Sequence, residues 1–469
     1  MFKSVFAKLI AGFLRLRKLL CPLRLLSFLR SLYDKISALF RGRSPTRDLD
    51  KLSHPRIQTT EPIEEEDLSG YQAEWYYPVR IGEVFASRYQ VVVKLGYGVT
   101  STVWLARDLT QKKPCYIALK VYVHQDRLGS NEPTELAIYR RLKEGPENHA
   151  GRKAIRPLLD SFVITGPDGE HHCLVHPPLW GSLQQWLDLD EKKHMQPPDL
   201  AMVLKQLFLA LDYAKECEVI HTDIHEGNIM FGLKDTAVLE ELEKAELEEP
   251  SPRKRIAEGR FIYQTRDIPL SDRDNMDLPL LCDFGAAVMG GGKHDEDVQP
   301  DPLRCPEAIL RVPWSYEIDI WNVGCLVWYL CRGSDLFRLI YHFKGPARGY
   351  AYLAEMVSLL GYPPPSLIAD GKAPISSEFF SEDGKWTSTV KTKFVRLLNL
   401  GWPGYWKQME NSLDDWESGD NKNLFLGFMR KMLKWDPRDR QTAKQLLEDE
   451  WLMIRLETPS SHTADVVEE

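Results

Sequence analysis

The chain has 469 residues, 43% hydrophobic and 27% charged, which is the size of two or three domains and the composition of an ordinary globular protein. Its formal net charge of −8 gives no whole-molecule attraction to nucleic acid, and no direct nucleic-acid binding is expected. Eight cysteines without a C-x-x-C pair argue against a zinc ribbon and a disulfide framework, and fit a reducing compartment, cytoplasm or nucleus.

Residues 1–43 break from this average, with ten Lys/Arg against one acid, Asp34. Apolar residues recur there with helical spacing (Phe2, Val5, Phe6, Leu9, Ile10, Phe13, Leu16, Leu20). No uncharged run reaches the ~18 residues that span a bilayer, and the apolar stretch is too interrupted for a secretory signal. Three readings stay open: a mitochondrial transit peptide that meets the import machinery, a helix on an anionic membrane surface, or an unstructured or partner-bound extension. Residues 44–75 are polar, mixed in charge and aperiodic, and read as a linker.

From Tyr76 the pattern changes. Arg88–Asp108 alternates apolar and polar residues around paired glycines, as two strands joined by a turn would, and Pro114–Val123 is a further β-rich run. Asn131–Glu144 has helical spacing with Pro133 near its start, and Asp199–Cys217 is a long helical pattern. These elements predict an α+β fold with a small antiparallel β-rich lobe over about 76–179 and a larger, mainly helical lobe over about 180–455. An acidic polar tail, 456–469, follows. Residues 232–280 read as a surface insertion whose acidic run is a solvated helix face or a dock for a basic partner.

Chemistry-bearing motifs follow in order. "LGYGVTSTV" spans Leu95, Gly96, Tyr97, Gly98, Val99, Thr100, Ser101, Thr102 and Val103; its glycines would let backbone lie close over triphosphate oxygens, with Ser101 in place of a third glycine. A hairpin using glycine for its turn alone is the plainer alternative. Lys120 ends the apolar "IALK" and either points to solvent or holds phosphates, paired with Glu135 or, as the alternative, Glu132. "HTDIHEGN" offers Asp223 to accept the proton of an incoming hydroxyl and Asn228 as a metal ligand, and "DFG" adds the carboxylate of Asp283. Magnesium takes oxygen ligands from such groups and from substrate phosphates.

Taken in order, a Gly-rich loop, A-x-K, H-x-D-x-x-x-x-N, D-F-G and P-E resemble a eukaryotic-type protein kinase domain over about 76–455. "HTDI", "CDFGAA", "PWSYEIDIWNVGC" and "LAEMVSLLGYPPPSLI", with the spacer before D-F-G, resemble more closely the SR-protein kinases and their divergent fungal relatives. The resemblance implies a bilobal serine/threonine kinase acting on Arg/Ser-rich protein substrates as a monomer. It implies ATP held by Leu95–Val103, Ala118, Lys120 and Leu179, and Mg²⁺ held by Asn228 and Asp283. Catalysis would fall to Asp223, His225, Lys120 and Glu135, with Arg440 pairing Glu307 in the core.

Three departures bear on activity. Thr222 stands where many kinases carry an arginine that meets an activation-loop phosphate, so activity independent of such phosphorylation is expected. His225 replaces the lysine that contacts the γ-phosphate, and is either a weaker catalytic cation or a loop residue with no role. In the hinge, His176-Pro177-Pro178-Leu179, two residues lack an N–H, so one adenine hydrogen bond comes from Leu179 or is absent. A pseudokinase scaffold is therefore the rival to an active enzyme; a small-molecule kinase is disfavoured by Cys305-Pro306-Glu307.

Overall fold

The computed structural model describes residues 44–458, apart from 125–126, 128–131, 190–192, 270–272, 293, 346, 371–374 and 388–404. The basic segment 1–43 and most of the acidic tail lie outside the described residues. The chain divides into two compact units. One comprises the chain up to Val123 with Phe162–Cys173 and Ala237–Asp267; the other comprises His124–Ser161, Leu174–Thr236 and the chain from Ile268.

The first unit is built on a sheet of strands β1 (Val84–Phe85), β2 (Tyr89–Gly98), β3 (Ser101–Asp108), β4 (Tyr116–Tyr122), β5 (Asp160–Thr165) and β6 (Glu170–His176), in the order β1-β2-β3-β4-β6-β5. Stiff β-branched side chains favour the pleated backbone, and Val91, Val92 and Val93 are wholly buried. Gly98 pairs with Ser101, so the glycine-rich segment folds back through a two-residue turn, Val99-Thr100. One strand further on, Val103 faces Lys120 and Leu105 faces Ala118.

The linker expected over 44–75 is corrected by the structure. Leu49 is wholly buried, and short 3-10 turns form at Leu49–Lys51, Glu64–Asp67 and Ala73–Trp75. Gln90 of β2 reads the Arg47 backbone twice: it accepts the Arg47 N–H and donates to the Arg47 carbonyl, each at 2.8 Å. The Ser44 hydroxyl donates to the Gln111 carbonyl at 2.7 Å. Hydrogen bonds to β2 and to the loop after β3 replace the apolar stripe that marks a packed segment in sequence.

The insertion also differs from a fully solvated helix. The helix Ala237–Glu248 leaves Glu240, Glu241, Lys244 and Glu248 exposed but buries Leu239, Leu242, Glu243 and Glu246. Glu243 accepts from the Tyr116 hydroxyl and lies 3.4 Å from the guanidinium groups of both Arg47 and Arg107. Glu246 accepts from Ser251 N–H at 2.8 Å and its hydroxyl at 2.6 Å, and meets Arg266 at 3.2 Å. Buried carboxylates of this kind are tolerated only when paired and hydrogen-bonded. The chain then forms an antiparallel hairpin, Arg253–Ala257 with Arg260–Tyr263.

The second unit is mainly helical. Its longest helix, Pro197–Glu216, starts with proline, whose fixed φ suits the first turn. The helix Glu317–Arg332 is buried along most of its length. Its Gly324 allows close packing, since a Cβ there would sit 2.8 Å from Leu433 Cδ2. Among the described residues no helix is long and apolar enough to cross a membrane.

Candidate active site

The loop His221–Asn228 leaves a short buried strand, Val219–Ile220, and is fixed by the helix Glu317–Arg332. Asp319, in the first turn of that helix, accepts the N–H groups of His221 and Thr222, each at 2.8 Å. Burial pushes the Asp319 carboxyl up to about 7, against the pull of those two N–H donors. Thr222 has a left-handed backbone (φ 69°), and its hydroxyl donates to the Ala286 carbonyl at 2.9 Å. The threonine thus ties the catalytic loop to the segment after D-F-G. His221, wholly buried, donates from Nε2 to the Cys282 carbonyl at 3.0 Å, and its other nitrogen accepts the Asp223 N–H at 3.3 Å. Burial lowers its pKa and the ring stays neutral.

An antiparallel ladder brings the two metal-ligand candidates together. Strand Ile229–Leu233 pairs with Met276–Leu281, Leu281 facing Ile229, and the Cys282 N–H then donates to the Asn228 carbonyl at 2.8 Å. Asn228 and Asp283 therefore sit at the same end of the ladder, and the intervening insertion loops away. The Asn228 side-chain amide donates to the Asp223 carbonyl (3.0 Å) and carboxylate (3.1 Å), which turns its own oxygen away, free to face a hard cation. Asp283 is held at φ 57°, a costly conformation for a residue with a Cβ, and accepts from Gly285 N–H at 3.2 Å. Phe284, fully buried, packs edge-on to His221 (ring centres 4.8 Å) and to Tyr139 (5.5 Å). Tyr139 belongs to the helix Thr134–Glu144, so one aromatic column links that helix to both loops.

Glu135 is buried in the first turn of the helix Thr134–Glu144. Glu132, just before that helix, forms a surface ion pair with Arg140 at 2.8 Å. Lys120 and Ala118 lie on β4 and the glycine-rich turn on β2–β3, all in the first unit. Asp223, His225, Asn228, Asp283, Glu135 and Leu179 belong to the second unit.

His225 sits beside Asp223. Its Nε2 is 3.7 Å from Asp223 Oδ2, and its Nδ1 accepts the Gly227 N–H at 3.1 Å. Burial alone would lower its pKa, but the Asp223 carboxylate, with Glu226 and Asp283, outweighs burial and raises it. The Gly227 N–H limits that rise, because it must turn away when Nδ1 gains a proton. The His225 imidazole in turn holds Asp223 below the usual carboxylate range despite its burial.

Sequence reasoning missed three supporting groups. Asp319 holds the loop across nearly a hundred residues of chain, a contact that no local pattern marks. Arg156 donates to the hinge carbonyl of Pro177 at 2.8 Å from Nη2 and 3.3 Å from Nε, while His176 contacts the Pro157 carbonyl at 3.0 Å. Gln299, buried, anchors the segment after D-F-G: it donates to Ile318 O (2.9 Å) and Asn322 Oδ1 (2.8 Å) and accepts from Cys305 N–H (2.8 Å). Around it Arg304 bridges Asp297 (2.6 Å) and Asp301 (3.1 Å), and Arg348 meets Asp301 at 2.7 Å. Such surface pairs contribute up to about 1 kcal/mol each, so the buried Gln299 network is the stronger anchor. Residues 284–306 contain no serine, threonine or tyrosine, so no side-chain hydroxyl there can carry a phosphate.

Near the base of the second unit Arg440 forms a two-pronged pair with Glu307, at 2.6 and 2.7 Å, both side chains wholly buried.

Comparison with known proteins agrees with this geometry. The protein kinase domain family matches residues 268–452. A serine/threonine protein kinase of Aspergillus fumigatus is 36% identical over 430 residues, covering 90% of this chain and 99% of its own. The serine/threonine-protein kinase SRPK of Physarum polycephalum is 30% identical over 411 residues, 83% of this chain and 91% of its own. Mouse SRSF protein kinase 3 is 34% identical over 176 residues, 37% of this chain and 31% of its own. A crystal structure of a kinase domain superposes with a TM-score of 0.57 at 20% identity, covering 81% of this chain and all of that one, which supports the fold. With the loop, ladder and aromatic column in place, the chain belongs to the SR-protein-kinase-like group of eukaryotic serine/threonine protein kinases.

Proposed function

We propose that the protein transfers the γ-phosphate of Mg·ATP to serine hydroxyls in Arg/Ser-rich proteins. The observation that carries this is the Asp223–Asn228–Asp283 arrangement, in which the Asn228 amide orients Asp223 and the strand ladder brings Asn228 and Asp283 to the same end. Asn228 and Asp283 would hold Mg²⁺, which supplies charge neutralisation for the transferring phosphoryl group. Asp223 orients the substrate hydroxyl and accepts its proton. Lys120 binds phosphate oxygens. Leu179 is the hinge residue with an N–H for adenine, and Pro177 keeps a carbonyl acceptor beside Arg156. The glycines fit the same reading: at Gly96 and Gly98 an added Cβ meets nothing within 4 Å. Neither requires a positive φ. The fold itself does not demand glycine there, but a close phosphate would. Support for Arg/Ser-rich substrates comes from the relatives' names.

The test is transfer from labelled Mg·ATP to an Arg/Ser peptide, compared with a peptide of the same length whose serines lie among acids. Strong preference for the first is expected; no transfer to either above a metal-free control would leave a nucleotide-binding scaffold as the better reading.

His225 favours a slower enzyme over a dead one. A permanent cation at this position would strengthen one charge-assisted contact by about 1.5–3 kcal/mol, so His225→Lys should raise kcat by roughly tenfold to a hundredfold. The pH profile gives the sign. Because the His225 pKa is raised, the ring is charged below it and loses that charge as pH rises. Wild-type kcat should therefore fall as pH rises through the His225 pKa, and the lysine variant should lack that decline up to about pH 9. Phosphatase treatment is expected to leave activity unchanged, since the segment 284–306 offers no hydroxyl to dephosphorylate. A drop in rate would place a regulatory phosphate elsewhere.

A further inference from the structure

Two segments that look peripheral in sequence converge on the glycine-rich strand within the first unit. Lys94, the residue before Leu95-Gly96, is wholly buried. Its ammonium group donates to Glu65, to Glu64 at 3.2 Å and to the Tyr263 carbonyl at 3.2 Å, and lies 4.8 Å from the Tyr97 ring centre. Glu64 is held in turn by Thr265, through its N–H at 2.9 Å and its hydroxyl at 2.6 Å. The Lys94 carbonyl accepts the Arg266 N–H at 3.0 Å. Residues 63–67 and the end of the insertion thus clamp the strand from which the turn projects.

At the turn itself a tyrosine side chain makes contact. The Tyr76 hydroxyl is 3.1 Å from both the Gly98 and the Val99 carbonyl oxygens. Tyr76 is 7% exposed and packs against Tyr71 with ring centres 5.2 Å apart. Its own carbonyl is held by Arg260 of the insertion hairpin at 3.0 Å, and the same guanidinium nitrogen reaches the Ala73 carbonyl at 2.8 Å. The turn beyond it is exposed, with Val99 at 52%. An exposed turn between flexible glycines is the part of a sheet that opens most easily. A phosphate needs N–H donors, so a hydroxyl that binds carbonyls fixes the turn without competing for the ligand.

We infer that Tyr76 is a positioning residue for the nucleotide: residues 63–76, locked by the insertion hairpin, set the glycine-rich turn in the shape that receives phosphate. The inference rests on the kinase reading of that turn. It gives the insertion and the supposed linker a joint task that neither the turn nor the catalytic loop reveals alone.

Tyr76→Phe in the full chain is the test, since it keeps the ring and its packing and removes only the hydroxyl. Loss of one such hydrogen bond should weaken binding of Mg·ATP and ADP, followed by titration with a fluorescent nucleotide analogue, about three- to tenfold. The KM for ATP should rise in proportion, while kcat and the KM for peptide change by less than about twofold and Tm by about 1 °C or less. Arg260→Met, which frees the strap without touching the turn, should shift nucleotide affinity in the same direction. Unchanged nucleotide affinity in Tyr76→Phe would overturn the inference, as would a loss of affinity matched by a large fall in Tm, which would make Tyr76 a core residue only. Binding is read without phosphate transfer, so wild-type protein that binds Mg·ATP but phosphorylates no peptide defeats the substrate proposal and still tests the strap. Wild-type protein that binds no nucleotide defeats both.

Discussion

Asp223→Asn should lower kcat by about 10²- to 10⁴-fold, the usual contribution of a positioned general base, with the KM for ATP changing by less than about twofold. Asparagine keeps the shape and an oxygen to accept the 3.1 Å hydrogen bond from Asn228, so the loop should hold its form. What disappears is the negative charge that draws the substrate proton. Single-turnover measurements would separate this loss from slow product release. The pH dependence offers a second check. His225 and Asn228 hold the Asp223 pKa below its ordinary value, so the carboxylate is ionised well into the acid range and contributes no acidic limb between about pH 5 and 9. The coupling runs both ways: in Asp223→Asn the His225 ring loses the group that raises its pKa, and burial then lowers it. An imidazole titration by NMR should move to lower pH in the variant. A loss of activity under tenfold would remove Asp223 from the proton-accepting role.

The largest effect on stability is expected at Glu307–Arg440. Both side chains are wholly buried, and the guanidinium also donates to the Glu317 carbonyl at 3.0 Å and the Lys434 carbonyl at 3.0 and 2.9 Å. Glu307→Ala would leave a buried cation without its counter-charge, at a cost of about 3–5 kcal/mol, and a fall in Tm of roughly 6–12 °C. Arg440→Lys should also destabilise, because an ammonium group cannot make the paired contacts at 2.6 and 2.7 Å. The double variant Glu307→Leu/Arg440→Met should lose less than the sum of the single losses, since no charge is stranded. Additive losses in thermal unfolding would mean the two groups are held by the surrounding backbone and not by one another.

The parts of the site that were readable in sequence share a physical property: each is a chemical group that the reaction needs, at a spacing set by a short loop. His221, Asp223 and Asn228 lie within one loop, and Asp283 follows an apolar strand, so residue type and local pattern suffice to find them. That Glu135 is buried while Glu132 pairs with Arg140 at the surface was not legible, because burial depends on distant packing. His225 was legible as a departure. That its Nδ1 is taken by Gly227 while its Nε2 faces Asp223 was not, because ring orientation depends on a backbone turn.

What the sequence determined by itself was the order of motifs, the kinase class and the two-part α+β organisation, which follow from local residue patterns. The tertiary structure alone decided what supports them. Asp319 holds His221 and Thr222 across nearly a hundred residues of chain, and Gln299 pins a segment that has no phosphate to order it. Residues 44–75 look like a linker because they lack an apolar period, yet they pack through hydrogen bonds to Gln90 and an ion pair with Lys94. Polar contacts between distant segments leave no periodicity in a sequence, whereas apolar stripes and loop spacings do, and that difference separates what could be read from what had to be seen.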